Sequence, residues 1–193
     1  SDGIVRGCDW LAEKGCVLIN RSLGSSSPYG PNQDWQREFR DVGVCIDAAG
    51  NSGRNPIGYP ARNGILLGSV PVGSYGGSNA SPVRSSFSSI GQELMLCSAG
   101  SNIRAANGKT TDGEVDMSGT SMAAPKATVE AGVILWCLRG WGYNDPLGPV
   151  WDTAIKTLAV DMEVPGRDPR TGFGYIPVVN LLEFAKNGQG RLV

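Results

Sequence analysis

Residues 117–125 read Met-Ser-Gly-Thr-Ser-Met-Ala-Ala-Pro, and this stretch decides how the rest of the sequence is interpreted. A serine between Gly-Thr and a run of small residues can lie at the start of a helix, where small neighbours let another backbone approach closely. The start of a helix also favours negative charge nearby. Pro125 fits such a helix because a proline is tolerated in the first turn. We therefore predict a helix from about Ser121 to Leu138 with Ser121 as a candidate nucleophile, although a simple N-cap serine would share these features.

A second polar block precedes this helix and reads Ala48-Ala49-Gly50-Asn51-Ser52-Gly53 directly after an apolar run. Attack of a hydroxyl on a carbonyl carbon builds a negatively charged oxygen, and a side-chain amide can donate a hydrogen bond to it. Asn51 is therefore a candidate donor to this oxyanion. A plain Asn-Ser-Gly turn is the alternative, but the order and spacing of the two blocks favour the catalytic interpretation.

Apolar runs without polar alternation predict strands that are covered on both faces. Residues 17–19 and 44–46 are of this kind, which is typical of a parallel sheet between helices. We therefore predict a single α/β domain over residues 1–193, with three layers and a mostly parallel sheet flanked by helices. The predicted helices cover residues 3–14, 34–41, 121–138, 149–158 and 177–185, and the predicted strands cover residues 16–20, 42–48, 65–72 and 94–98.

Composition argues against several other classes of protein. The net charge is −1 with no basic run, so no nucleic-acid partner is expected, and no apolar stretch reaches the ~18 residues that a membrane-spanning helix needs. The five cysteines are an odd number, so at least one is unpaired within the chain. We expect them to be buried free thiols, with a disulfide between Cys8 and Cys16 as the alternative. No Cys-x-x-Cys pair is present, so neither zinc nor a redox site is expected.

Together the two blocks resemble the nucleophile and oxyanion motifs of the subtilisin-like serine peptidases. Residues 86–100 and 172–180 resemble further stretches of that family, so the similarity extends over nearly the whole chain. The resemblance implies a subtilisin-like fold in which residues 1–193 are the C-terminal part of the peptidase domain, with the N-terminal part of that domain absent from this chain. It implies a peptide or protein substrate, Ser121 as nucleophile and Asn51 as side-chain oxyanion donor. It also implies that the backbone N–H of Ser121 is the second donor.

The resemblance further implies a substrate cleft with two walls and a floor. One wall would pair with the peptide backbone as an added strand, although the exit of a strand into a turn would explain the same residues. A glycine at the floor would leave room for a large apolar side chain. The residues concerned are Ser22, Leu23 and Gly24 on one wall, Ala48, Ala49 and Gly50 on the other, and Gly58 at the floor.

The sequence contains no histidine. A serine hydroxyl needs a base to become a nucleophile, and in the resembled family a histidine oriented by an aspartate provides it. Lys126 is a poor substitute, because five helical residues turn the chain by about 140° and rise by ~7.5 Å. The chain begins at Ser1 rather than at a methionine, so we expect a separate or cleaved N-terminal segment to supply the histidine and aspartate.

The alternative is a catalytically inactive subtilisin-like scaffold used for binding or assembly. Calcium is common in the resembled family, but no Asp-rich loop identifies a site, and no other cofactor is expected. The family also suggests secretion. Asp47 and Asp116 are expected to be structural or surface groups, and Arg21 and Arg62 are expected to be solvated.

Overall fold

The computed structural model describes residues 2–78, 81–110, 112–144 and 149–187, with the backbone alone for residues 149 and 150. The helices are α1 Asp2–Glu13, α2 Gly30–Phe39, α3 Thr120–Gly140, α4 Pro149–Leu158 and α5 Val178–Asn187. The strands are β1 Leu18–Arg21, β2 Val44–Ala48, β3 Ser69–Ser78, β4 Ser81–Arg84, β5 Leu96–Ala99, β6 Ile103–Ala106 and β7 Glu114–Met117. Two short 3-10 turns, Ala61–Asn63 and Ile65–Leu67, lie before β3.

Four parallel strands form the centre of the main sheet, in the order β1-β2-β3-β5. The far end of β3 also pairs with β4 in the antiparallel sense, while β6 and β7 form a separate hairpin. The prediction of a mostly parallel sheet is confirmed.

Helices cover both faces of this sheet, which makes the predicted three-layer α/β fold. Every residue of β2 is buried, and successive side chains point to opposite faces. Val44 and Ile46 join α3, α4 and α5 in the larger core cluster. Cys45 joins the smaller cluster under α1 and α2, where Trp35 stacks on Phe39 with ring centroids 4.7 Å apart.

Element boundaries differ from the sequence prediction where glycines bend the backbone. The strand predicted over residues 65–72 begins only at Ser69, because Gly64 and Gly68 adopt positive φ angles of 68° and 75° and close a 3-10 turn between them. The helix predicted over residues 34–41 begins earlier, at Gly30, with Pro31 in its first turn.

The three strands that the prediction missed are short and exposed. All residues of β7 are exposed, and β4 and β6 alternate between exposed and half-buried positions. Their pairing depends on backbone hydrogen bonds rather than on an apolar face, so the hydrophobic pattern gives little indication of them.

The five cysteines are free thiols, as expected, and all but the half-buried Cys16 are buried. Burial raises the pKa of the Cys97 thiol to about 12, which keeps it in the unreactive protonated form at neutral pH. Among the described residues, no helix is long and apolar enough to cross a membrane. The same part of the chain contains no group of three or more histidine, cysteine or acidic side chains arranged to hold a metal ion.

Glu130 is a buried carboxyl in the middle of α3, with 5% of its surface exposed. Lys126, one turn earlier, forms an ion pair with it, and the Ser98 hydroxyl lies 3.5 Å from its Oε2. Burial raises the pKa of Glu130 and outweighs the opposing effect of the Lys126 ammonium. The folded state therefore favours the protonated carboxyl more than the unfolded state does.

Glu130→Gln is expected to gain stability relative to the parent protein as pH rises. The stability that the protonated Glu130 carboxyl gives the parent protein is fully present below the unfolded pKa of about 4.3. It is lost as pH rises through the higher folded pKa. Urea unfolding of the intact protein at acid and neutral pH measures the difference, with the exposed Glu13→Gln as control. Equal differences at both pH values would show that burial does not disfavour the Glu130 carboxylate.

Candidate active site

An open cleft of about 570 Å³ lies where β1 and β2 end and α3 begins. The carboxyl ends of parallel strands are the common ligand-binding edge of α/β sheets. The lining residues include most of those predicted from the sequence: Ser22, Leu23, Gly24, Ala48, Gly50, Asn51, Gly58 and Ser121, with Ser25, Ser26, Ser52, Pro56, Ile57, Ser89 and Thr120 besides.

Ala49, predicted as part of a wall, is the one predicted wall residue that lies behind the cleft lining. Its side chain is fully buried in a core cluster with Ile57 and Leu94. Successive side chains of an extended segment point in opposite directions, so Ala48 packs in the larger core cluster and borders the cleft, while Ala49 packs in a second cluster on the other side. Its carbonyl oxygen still supports the floor, accepting a 2.9 Å hydrogen bond from the Gly58 N–H.

The wall and the floor are joined by a reciprocal pair of backbone hydrogen bonds. The Ser25 N–H donates to the Tyr59 carbonyl and the Tyr59 N–H donates to the Ser25 carbonyl, both at 2.8 Å. A Cβ built on Gly58 would lie 3.3 Å from the Ser25 carbonyl oxygen. A glycine therefore lets the wall approach the floor closely and keeps the floor free of a side chain.

Asn51 is held in one orientation by Thr120. The Thr120 backbone N–H and hydroxyl both donate to Asn51 Oδ1, at 2.8 and 3.0 Å, and the hydroxyl accepts from the Gly50 N–H at 3.1 Å. Because a backbone N–H can only donate, the Asn51 atom it contacts must be the oxygen. The amide nitrogen Nδ2 is consequently directed away from Thr120.

Two donors converge beside the candidate nucleophile. A Cβ built on the buried Gly119 would lie 3.3 Å from Asn51 Nδ2 and 3.7 Å from the Ser121 backbone nitrogen. A single point is therefore close to both nitrogens, and the start of α3, a helix of 21 residues, adds the positive end of its dipole. Chemically, such an arrangement can stabilise a negatively charged oxygen.

The Ser121 side chain contacts the opposite wall of the cleft. Its hydroxyl donates to the Ser22 carbonyl at 3.4 Å, while the Ser22 hydroxyl donates to the Ser121 carbonyl at 2.9 Å. Pro125 explains why that carbonyl is available. The helix begins at Thr120, so Pro125 lies in the second turn rather than in the predicted first turn. Having no N–H, Pro125 cannot donate the helical hydrogen bond that the Ser121 carbonyl would otherwise accept from the residue four positions later.

The charged residues near the site were only partly anticipated. Asp47 is structural, as expected, but Arg21 is buried with 2% of its surface exposed and pairs with Asp47, so the prediction of a solvated arginine is wrong. Asp116 lies on the exposed hairpin, 2.6 Å from Arg104, and Arg62 is exposed. Thr120 orients Asn51 although its local pattern gives no sign of this role, which depends on a contact with a loop 69 residues earlier in the chain.

Comparison with known proteins agrees with this geometry. A model of the subtilase family, peptidase S8, matches residues 2–174. Subtilisin DY of Bacillus licheniformis is 33% identical over 137 residues, which is 68% of this chain and 47% of that protein. Subtilisin Savinase of Lederbergia lenta is 33% identical over 132 residues, 68% of this chain and 46% of that protein. The chain thus spans about half the length of the curated relatives it matches.

Solved structures show the same fold at lower sequence identity. The patellamide maturation protease PatA has a TM-score of 0.72 and 23% identity, covering 95% of this chain and 68% of that one. Fervidolysin, a keratinolytic enzyme from Fervidobacterium pennivorans, has a TM-score of 0.74 and 21% identity, covering 94% of this chain and 29% of that one.

The fold and the cleft define an α/β protein in which Ser121 and Asn51 line a cleft at the carboxyl ends of the parallel strands. The chain belongs to the subtilase family, since the family model spans most of its length.

Replacing Thr120 by valine is expected to loosen the Asn51 side chain, which keeps only the hydrogen bond from the residue-120 backbone N–H. The variant keeps the shape of the residue but removes one donor to Asn51 and the acceptor of the Gly50 N–H, at a cost of about 1–3 kcal/mol in unfolding free energy. NMR relaxation of the Asn51 side-chain amide and urea unfolding measure both effects. Thr128→Val, which removes a hydroxyl that donates to the Ala124 carbonyl within α3, is the control. An unchanged Asn51 amide in Thr120→Val would contradict this account.

Proposed function

We propose that this chain is the nucleophile-bearing part of a serine endopeptidase that hydrolyses peptide bonds through an acyl-enzyme on Ser121. The observation that carries the proposal is that Asn51 Nδ2 and the Ser121 backbone nitrogen lie within 4 Å of one point next to Gly119, at the start of the helix that carries Ser121. The relatives named as subtilisins support the same reaction class.

The proposed reaction uses the two donors when charge develops. Ser121 Oγ attacks the substrate carbonyl carbon and gives its proton to a base, and the carbonyl oxygen becomes an anion between Asn51 Nδ2 and the Ser121 N–H. Because Thr120 already holds the amide in place, little reorganisation is needed at that moment. The tetrahedral intermediate then collapses, the amine leaves with the proton, and water hydrolyses the acyl-enzyme.

The substrate is proposed to be a peptide in extended conformation. Residues 22–24 form an exposed wall at the end of β1, along which a peptide backbone can add as a further strand. The pocket beyond has the apolar side chains of Ala48 and Ile57 and the side-chain-free Gly58 at its floor. This lining favours an apolar side chain on the residue whose carbonyl is attacked, the P1 residue.

The base is proposed to come from an N-terminal segment that carries the histidine and aspartate. The sequence has no histidine, and Lys126 is engaged by Glu130 on α3. Within the described ranges, no ionisable side chain is hydrogen-bonded to Ser121; its hydroxyl contacts a backbone carbonyl instead.

An unpaired sheet edge beside an exposed apolar helix surface supports this partner. Among the described strands only β2 pairs with β1, which leaves the outer edge of β1 free. Two residues of α3 lie over β1. The Thr128 hydroxyl is 3.5 Å from Asn20 Oδ1, and a Cβ built on Gly132 would lie 3.6 Å from Leu18 Cδ2. Farther around the helix, Val129 and Trp136 are 67% and 73% exposed.

A strand added beyond β1 would satisfy the free backbone groups of that edge and cover the Val129–Trp136 surface. It would also run towards Ser22 and Ser121, the position from which a base must act. This proposed docking position therefore places the histidine-bearing segment beside the nucleophile.

Labelling with a fluorophosphonate tests the proposal. In the complex of this chain with the histidine-bearing segment, mass spectrometry is expected to find the label on Ser121. Ser121→Ala should abolish labelling, whereas Ser26→Ala, at another serine of the cleft, should not. Without the segment, labelling should be lost because no base remains. Absence of labelling in the complete complex would instead favour the inactive scaffold.

Gly119→Ala tests the oxyanion site separately. The added methyl group would lie 3.3 Å from Asn51 Nδ2 and 3.7 Å from the Ser121 nitrogen, where it would crowd an oxyanion bound by both, so turnover of a peptide substrate is expected to fall by about 10²–10³-fold, as when an oxyanion donor is removed. Gly108→Ala is the matched control, because a Cβ there meets nothing within 4 Å. Unchanged turnover in Gly119→Ala would contradict the assigned oxyanion position.

A further inference from the structure

A buried ion pair lies directly beneath the two walls of the cleft. Arg21 and Asp47 are cross-strand partners at the end of the β1–β2 ladder, with 2% and 0% of their surfaces exposed. Arg21 Nε donates to Asp47 Oδ1 and Arg21 Nη2 donates to Asp47 Oδ2, both at 2.6 Å. The guanidinium and the carboxylate thus meet side by side through two parallel hydrogen bonds, the most directional geometry available to such a pair.

Further contacts fix the pair on three sides. Arg21 Nη1 donates to Asn32 Oδ1 of α2 at 3.2 Å, and the Ser69 hydroxyl at the start of β3 donates to Asp47 Oδ2. Burial by itself opposes the charge on Arg21, but the Asp47 carboxylate outweighs it and keeps the pKa of the guanidinium above its ordinary value. The guanidinium therefore stays charged, and the hydrogen bonds of the pair link β1, β2, β3 and α2.

A gain in folding stability does not by itself explain why a buried ion pair is present here. Desolvation of two buried charges consumes much of their attraction, and well-packed apolar replacements are often neutral or stabilising. The best attested use of buried ionic groups is to fix the register of the elements that carry them. Here the register matters, because a slip of one residue would reverse which side chains of β1 face the core.

The residues that follow the pair in the chain belong to the two walls of the cleft. Arg21 is followed by Ser22, which exchanges hydrogen bonds with Ser121, and Asp47 is followed by Ala48 on the opposite wall. We propose that the Arg21–Asp47 pair sets the separation of the cleft walls and so determines which P1 side chains the pocket accepts. This inference rests on the proposed peptidase function and assigns both residues as positioning residues.

The test replaces the pair by apolar side chains of similar shape, Arg21→Met with Asp47→Leu, in the complex with the histidine-bearing segment. We expect the melting temperature to be retained, and fluorophosphonate labelling of Ser121 to change by no more than about twofold, since that probe is too small to need both walls. The ratio of kcat/KM values for large and small apolar P1 residues is expected to fall about tenfold, because displacements near 1 Å can cost up to ~10²-fold.

Two further variants separate positioning from folding. Arg21→Lys keeps the charge but not the two parallel hydrogen bonds, so it should lower the P1 ratio by about threefold. Ile19→Ala removes a buried side chain on the same face of β1; it should lower the melting temperature without changing the P1 ratio.

The outcomes distinguish this inference from the function on which it rests. An active parent complex with the same P1 ratio in the parent and the double variant would overturn the positioning role. The positioning role would also be overturned if the double variant and Ile19→Ala both had a lower melting temperature, weaker labelling and a lower P1 ratio, each to the same extent. A parent complex that is not labelled at all would refute the proposed peptidase function itself.

Discussion

The contact between Thr120 and Asn51 is the interaction on which the site depends. It joins the loop after β2 to the first turn of α3, because the backbone N–H and the hydroxyl of Thr120 both donate to Asn51 Oδ1. The same hydroxyl accepts from the Gly50 N–H, so one side chain fixes the loop and the amide together. The two nitrogens beside Gly119 converge only because this contact determines which end of the amide faces the cleft.

Much of the fold could be predicted because the central strands are buried on both faces. Such strands read as continuous apolar runs, and the long helix α3 has a motif that marks its start. The hairpin of β6 and β7 and the short β4 could not be predicted in this way, since their exposed side chains carry little periodic signal. The boundary of β3 depends on backbone angles at Gly64 and Gly68, which composition does not reveal.

The candidate site shows the same division between local pattern and long-range pairing. Ser121, Asn51 and most wall residues lie in short motifs, so the sequence was enough to single them out. The inward direction of the Ala49 side chain depends on the extended backbone, and the burial of Arg21 depends on the β1–β2 register. Neither feature is visible in a local sequence pattern. The free Ser121 carbonyl follows from Pro125 alone, because a proline four residues later has no N–H to donate to it.

The most direct test of the account is a crystal structure of the complete complex with a phosphonyl group bonded to Ser121 Oγ. That group imitates the tetrahedral intermediate, and its oxygen stands where the oxyanion would form. The account predicts that this oxygen lies within about 3.2 Å of both Asn51 Nδ2 and the Ser121 nitrogen, the range of a hydrogen bond. A phosphonyl oxygen directed into solvent, with neither nitrogen in hydrogen-bonding range, would contradict it.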